Sequence, residues 1–328
     1  MPRTHARFPD VPHGKGHYES FYLKACHPSE PIGVWIRYTV HKRPGEGPTG
    51  ALWFTLFDAA ADGPQASKVT TAEVDSPSDG YIRIGDSVLE DGRAAGSAGT
   101  DQLDAGWELS FATDQDALFH LPRDWMYRAP VPRTKLLSPY PGARFSGRVR
   151  AGDRELELDG WPGMVGHNWG TQHAERWIWL HGANFEGADD AWFDGAIGRI
   201  KLGPVTTPWI ANGTLHLEGE RHRVGGPEKA RRTKVRERPT ACDFLLPGAD
   251  LTISGRVESE PKNFVGWVYA DPDGPEHNTV NCSIADMTLT VSRDGRPARE
   301  LQVRGGAAYE LGMRETGHGI PIQPFPDG

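Results

Sequence analysis

The sequence predicts an all-β chain built as two tandem β-modules, and three observations carry that expectation. Helix-period patterning is nearly absent, while short apolar segments recur at close intervals along the whole chain. The 328 residues include 40 Gly, 27 Pro and 11 Trp with no Gly-X-Y period, the composition of many short segments broken by turns. The length also exceeds the roughly 100–200 residues of one ordinary domain, so two cores are expected. Hydrophobic content of 37% and charge of 24% are those of a folded globular chain.

In the first half the expected strands are Gly33–Val40, Ala51–Asp58, Tyr81–Ile84, Trp107–Ala112, Ala143–Arg150 and Glu155–Asp159. In the second half they are Trp177–Phe185, Trp192–Leu202, Thr214–Leu217, Leu251–Val257, Phe264–Tyr269, Ala285–Ser292 and Glu300–Arg304. Glu155-Leu156-Glu157-Leu158-Asp159 and Thr288-Leu289-Thr290-Val291 alternate with a period of two, which belongs to sheets with one wet face. Asp294-Gly295 supplies the positive φ of a tight hairpin. Asp91–Gly99, rich in Gly, Ala and Ser, reads as an exposed loop. Ala129–Pro141 holds four prolines and reads as an extended connector, and Gly317–Gly328 as a Pro/Gly tail. The boundary between modules is expected near residue 174, giving units 1–174 and 175–328.

Net charge is −8, which gives no electrostatic basis for nucleic-acid binding. The local exception is Arg221–Arg238, with eight basic residues; it reads as a solvated hairpin loop or as a contact for anions or a membrane surface. Cys26, Cys242 and Cys282 are odd in number and form no CxxC pair, so a reducing, cytoplasmic setting fits better than a disulfide framework. Met1–Pro12 is polar and unlike a signal peptide, and no stretch approaches the roughly 20 apolar residues of a membrane span.

The segment most suggestive of function is Gly166-His167-Asn168-Trp169-Gly170, followed by Arg176-Trp177-Ile178-Trp179-Leu180-His181. Trp177, Trp179 and His181 share one strand face, and Ile178 and Leu180 take the other. A His-Asn-Trp triplet between glycines suggests a tight bend that carries polar groups into an aromatic-lined cavity. These residues resemble the shared motif of the AttH and carotenoid 1,2-hydratase (hydroxyneurosporene synthase) family, with tocopherol cyclases and certain fungal Diels–Alderases as distant relatives. Glu19–Lys24 and Asn281–Asp286 are similar to the terminal parts of such chains, and the likeness spans roughly residues 17 to 305.

The resemblance implies two lipocalin-like β-barrel or sandwich domains and a lipophilic, isoprenoid-like or polyene-like substrate. It also implies functional roles for His167, Trp169 and Asp194; where the family pattern has a Tyr, this chain has Trp192. Protonating an alkene leaves a carbocation that needs a dry site with π faces, which Trp169, Trp177, Trp179 and Trp192 offer. A carboxyl in such a site has its pKa raised and can act as general acid, a role assigned to Asp194. His167 would orient Asp194 or activate water, Asn168 would hold that water, and Glu19 and His181 would line the cavity.

Other chemistries are not expected. His167, His173 and His181 match no standard zinc spacing, so no metal is anticipated. Gly14-x-Gly16 opens no strand–helix unit, and no Gly-x-Ser-x-Gly elbow exists, so no organic cofactor and no α/β-hydrolase is indicated. A hydratase- or cyclase-like lyase or isomerase is one reading. A carrier of a lipophilic molecule is another, and a pocket that folds a polyene by shape alone is a third.

Overall fold

The computed structural model describes residues 3–325 apart from 79 and 275. The first half supplies β1 (His17–Cys26), β2 (Ile32–Lys42), β3 (Thr49–Asp58), β4 (Gln65–Thr71), β5 (Val74–Asp75) and β6 (Gly80–Ile84). It continues with β7 (Ser87–Glu90), β8 (Arg93–Ser97), β9 (Ala105–Ala112), β10 (Leu118–Phe119), β11 (Thr134–Ala151) and β12 (Arg154–Gly170). The second half begins with β13 (Arg176–Phe185), β14 (Ala188–Arg199), β15 (Lys201–Leu202), β16 (Val205–Thr206), β17 (Ile210–Leu217) and β18 (Glu220–Gly225). It ends with β19 (Lys234–Arg238), β20 (Ala241–Pro247), β21 (Thr252–Glu258), β22 (Val265–Ala270), β23 (Glu276–Ser292) and β24 (Arg299–Met313). The described helical content is four short 3-10 turns, as an all-β reading requires.

The strands form two large antiparallel sheets. The first runs β4-β3-β2-β1-β12-β11-β9-β8-β7-β6-β5, with β10 beside β11; the second runs β18-β17-β14-β13-β24-β23-β21-β20-β19, with β22 beside β23. The chain leaves the first sheet at Gly170 and enters the second at Arg176. Each sheet curls over its own core. In the first, Tyr38 of β2 reaches across to the Val88 and Ala95 carbonyls and accepts from the Trp107 indole at 2.7 Å. In the second, Phe193 of β14 stacks on Phe244 of β20, and Val224 bridges to Gly248.

Outward-facing side chains then join the modules. Trp53 meets Trp267 with ring centroids 5.0 Å apart and Tyr269 at 5.6 Å, and Trp35 lies 6.4 Å from Trp267. Lys24 donates to the Gly306 carbonyl and Cys26 to that of Ser283. Several of the 11 tryptophans thus sit in the seam, where flat rings contribute large buried area.

Four expectations need correction. The Gly166–Gly170 segment is not a bend: it lies inside β12, paired on both sides with β1 and β11. Its glycines serve close packing, since a Cβ at Gly163 would overlap the Lys24 carbonyl oxygen and one at Gly166 the Tyr22 ring. Gly163→Ala is therefore expected to destabilise the chain by about 1–3 kcal/mol, because backbone rather than a movable side chain opposes the new carbon; an unchanged urea midpoint would refute this. Asp91–Gly99 is not an open loop but the β7–β8 hairpin turn and β8, with Ala94 and Ala98 fully buried. Its small residues let strands approach, as Gly96 does over Ser87.

The prolines of Ala129–Pro141 do not keep it out of the sheet, since β11 begins at Thr134. The strand tolerates Pro139 and Pro141 through register shifts between Leu137 and Tyr140 and between Tyr140 and Ala143. Arg221–Arg238 is not one hairpin loop. It divides into β18 and β19 at opposite edges of the second sheet, joined by the 3-10 turn Pro227–Lys229. Arg221 and Arg223 reach to backbone carbonyls of the first module at Asp116 and Phe119. Of the expected tail, residues 326–328 lie outside the described residues, while Ile320 is buried and Gln323 pairs with Gly266.

Candidate functional site

Register decides which side chains meet. Phe21 pairs with His167 and Glu19 with Trp169, so these four share the face that turns into the first module. There His167 stacks on Phe21 at 3.9 Å. Its Nε2 donates to Glu19 Oε1 at 2.8 Å, and its Nδ1 accepts from the Thr4 hydroxyl at 2.7 Å. Burial holds the His167 pKa below its ordinary value despite the Glu19 carboxylate, so the ring is neutral. Glu19 also accepts the backbone N–H groups of Arg7 and Phe8. Burial alone would raise this carboxyl, but the bonds from His167 and His17 bring it down to about 2. Trp169 lies beside His167 with Arg7 over its ring, 4.8 Å from the centroid. His167, Glu19 and Trp169 therefore clasp the N-terminal arm into the first module.

The other face of β12 and β1 looks toward the second sheet. There a cavity of about 810 Å³ opens between the modules. Of the residues expected from sequence, Asn168, Trp177 and Trp179 line it. Asp194, His181 and Trp192 stand on the same sheet face but in the closed seam beyond its lining. His181 donates through Nε2 to the Pro141 carbonyl at 3.1 Å, and Trp192 packs over Gly142 and stacks on His216. Burial, with the Lys24 ammonium nearby, pushes His181 down to about 3.

Asp194 and His167 are thus not brought together, because they project from different sheets into different interiors. Nor is Asp194 raised in pKa. Burial would lift it, but His120, His181 and the Ser138 hydroxyl hold it below the ordinary carboxylate value. Ser138 donates to its Oδ2 at 2.6 Å, and the Trp179 indole donates to its Oδ1 at 3.3 Å. An ionised, bonded carboxylate is not a general acid; here it fixes the Trp179 ring.

The cavity brings forward groups that the sequence reading passed over. Tyr22 borders it, edge-on to Trp179 at 5.2 Å, with a hydroxyl that makes no hydrogen bond among the described residues. Burial and the nearby Asp194 and Glu310 carboxylates hold its pKa well above the ordinary phenol value, so it stays protonated. Arg37 is anchored by Nε to Ser20 at 2.6 Å and lies 4.0 Å from the Tyr269 centroid, leaving Nη1 without a partner. Glu310 accepts from Trp177 Nε1 at 2.9 Å, Tyr269 at 3.0 Å and Asn281 Nδ2 at 3.1 Å.

Arg37 and Glu310 had a legible signal, each being a lone charge in an apolar strand, Val34–Val40 and Ala307–Leu311. Tyr22 had none. One rim is apolar: Leu121, Met126 and the 64%-exposed Trp125 approach from the segment before β11. A second hollow of about 990 Å³ beside Trp169 mixes charged Arg7, Asp10, Lys15, Asp124 and Arg128 with apolar Val11, Phe119 and Leu137.

No family model matches the chain. It is 25% identical over 309 residues to Uncharacterized protein Rv0493c of Mycobacterium tuberculosis (strain ATCC 25618 / H37Rv), covering 92% of this chain and 88% of that one. The same figures hold for Uncharacterized protein MT0513 of Mycobacterium tuberculosis (strain CDC 1551 / Oshkosh). Among solved structures, a chain assigned as an AttH from Nitrosomonas europaea superposes with TM-score 0.52 at 15% identity, covering 96% of this chain and 99% of that one. Kievitone hydratase from Nectria haematococca gives TM-score 0.53 at 10% identity, and CghA 0.55 at 11%, each covering 92% of this chain and 90% of theirs. At these identities the likeness is one of fold. No described helix is long and apolar enough to cross a membrane. The chain shares the all-β, lipocalin-type fold of the AttH structure on which it superposes.

Proposed function

We propose that this chain is a hydratase- or cyclase-type enzyme, a lyase or isomerase that moves a proton to or from an unsaturated lipophilic small molecule held between its two sheets. The observation that carries the reading is the cavity of about 810 Å³, walled by Trp35, Trp177, Trp179 and Tyr269, into which Tyr22, Arg37 and Glu310 converge. An apolar chamber of roughly 300–1,000 Å³ with a few placed polar groups is the ordinary form of a small-molecule site.

Glu310 is the proton-transferring carboxylate in this reading, oriented by its three donors. Tyr22 donates its hydroxyl hydrogen bond to an oxygen of the substrate, and Arg37 offers Nη1 to the same polar end. The indoles stabilise cationic character as it develops. Asp194 acts one step removed, by fixing Trp179. The N-terminal clasp of His167 and Glu19 positions β1, which carries Tyr22. The kievitone hydratase among the structural neighbours favours this class of chemistry, as does the sequence resemblance.

The test begins with lipophilic fractions of the host, titrated against intrinsic Trp fluorescence; a bound compound quenches Trp177 and Trp179. Turnover of that compound is then followed by mass spectrometry. Glu310→Gln is expected to lower kcat about 100-fold or more, the usual scale of general acid–base catalysis, with Kd changed only a few-fold. Tyr22→Phe is expected to lower kcat less. Saturable quenching with no turnover of any fraction would replace the enzyme by a carrier, and absence of quenching would dismiss the cavity as a ligand site.

A further inference from the structure

At the edge of the cavity the fold gathers three side chains that neither the sequence spacing nor the chemistry above uses. His173 lies in the link between β12 and β13, Asp271 directly follows β22, and His277 is in β23. One donor atom from each lies within 4.8 Å of the others. His173 borders the cavity, and its ring stacks between Tyr18 and Trp177 at 4.0 and 5.2 Å.

The hydrogen bonds join two of the three residues and leave the third without a partner. His173 donates both its backbone N–H and Nδ1–H to Asp271 Oδ1, each at 2.7 Å. A divalent ion binding here would replace that Nδ1 proton, held by the ring nitrogen on one side and the carboxylate on the other. His173 Nε2 has no hydrogen-bond partner, and neither does Asp271 Oδ2. Both ring nitrogens of the fully buried His277 are likewise unpartnered; the Ala174 backbone comes near without a well-formed hydrogen bond. Buried polar atoms are rarely left unsatisfied, and here they converge from three separate elements.

We propose that His173, Asp271 and His277 form a binding site for one divalent transition-metal ion, Zn²⁺ first among them. His173 Nδ1, a His277 ring nitrogen and an Asp271 carboxylate oxygen are the ligands, the ion replacing the proton now shared between His173 and Asp271. Small side-chain rotations bring them to the roughly 2.0–2.2 Å of Zn–N and Zn–O bonds. Two imidazoles and one carboxylate select Zn²⁺ and its first-row neighbours over Mg²⁺ and Ca²⁺, which prefer all-oxygen shells. Three protein ligands leave a coordination position for water or a ligand atom, and His173 borders the cavity. The site would place a Lewis acid at the wall of the chamber. It stands independently of the proton-transfer reading, since none of its ligands is assigned a part there.

The untagged full-length protein, stripped with a chelator and dialysed, is titrated with Co²⁺ and then Zn²⁺. One equivalent of Co²⁺ is expected to bind with micromolar or tighter affinity, to give visible d–d bands, and to be displaced by Zn²⁺ but not by millimolar Mg²⁺. Asp271→Asn and His277→Gln are each expected to weaken binding about 100-fold, with near-UV circular dichroism confirming the fold. X-ray absorption at the Zn edge of the wild-type protein reads the site without any variant and should show two imidazoles in the shell. No saturable uptake by the wild type, equal affinity in folded variants, or an all-oxygen shell would each overturn the proposal.

Discussion

Glu19→Ala is expected to cost about 3–5 kcal/mol of folding stability, the scale for removing one partner from a buried, bonded ionic group. The Glu19 carboxylate is buried and receives the Arg7 and Phe8 backbone N–H groups together with His167 Nε2. Truncation orphans all of these donors at once, and the desolvation already incurred is no longer offset. Ala6 and Phe8 then lose the anchor that keeps them in the first core, and Thr4 loses the fixed imidazole it bonds to. Urea unfolding should show the lost stability, and limited proteolysis should show early cleavage among residues 3–12. Glu19→Gln keeps one acceptor oxygen and should fall between. A Glu19→Ala protein with the wild-type urea midpoint and a protected arm would mean that the clasp stabilises nothing.

Acidification is expected to destabilise the chain from about pH 6.5 downward, well before carboxylates in general titrate. The folded state binds His181 in its neutral form, with a pKa pushed down to about 3, whereas the unfolded chain takes the proton near 6.5. A group depressed in the folded state stabilises fully above its unfolded pKa, and that contribution is lost as the pH falls toward the folded value. At about 1.36 kcal/mol per unit, His181 alone removes about 2 kcal/mol by pH 5, and more than twice that near pH 3. The neutral, lowered His167 has the same sign. Glu19 adds a second window, between an unfolded 4.5 and a folded value of about 2. Denaturant midpoints measured at each pH from 8 to 4 test this. His181→Gln, which has nothing to protonate, should flatten the slope between pH 6.5 and 5; an unaltered slope would remove His181 as its source.

The alternation of Trp177, Trp179 and His181 against Ile178 and Leu180 was readable because a strand's period of two depends on nothing distant. Ile178 and Leu180 do enter the second core, and the two indoles do face the cavity. Reading the Gly166–Gly170 glycines as a bend went astray for a related reason. A glycine that makes room for the Tyr22 ring looks, in one dimension, like a glycine that turns. The pairing of His167 with Asp194 failed at the next level. His167 lies in β12, the last strand of the first sheet, and Asp194 in β14 of the second, so the two diverge although fewer than thirty residues separate them.

By itself, the sequence determined the β architecture and the aromatic strand face, because turn residues and side-chain alternation act locally. Only the tertiary structure decided that the chamber lies between the sheets, with Tyr22, Arg37 and Glu310 at its wall and His167 closed away. The physical reason is register. A strand offers two faces, and which of them meets a ligand is set by the neighbour it pairs with, tens or hundreds of residues away.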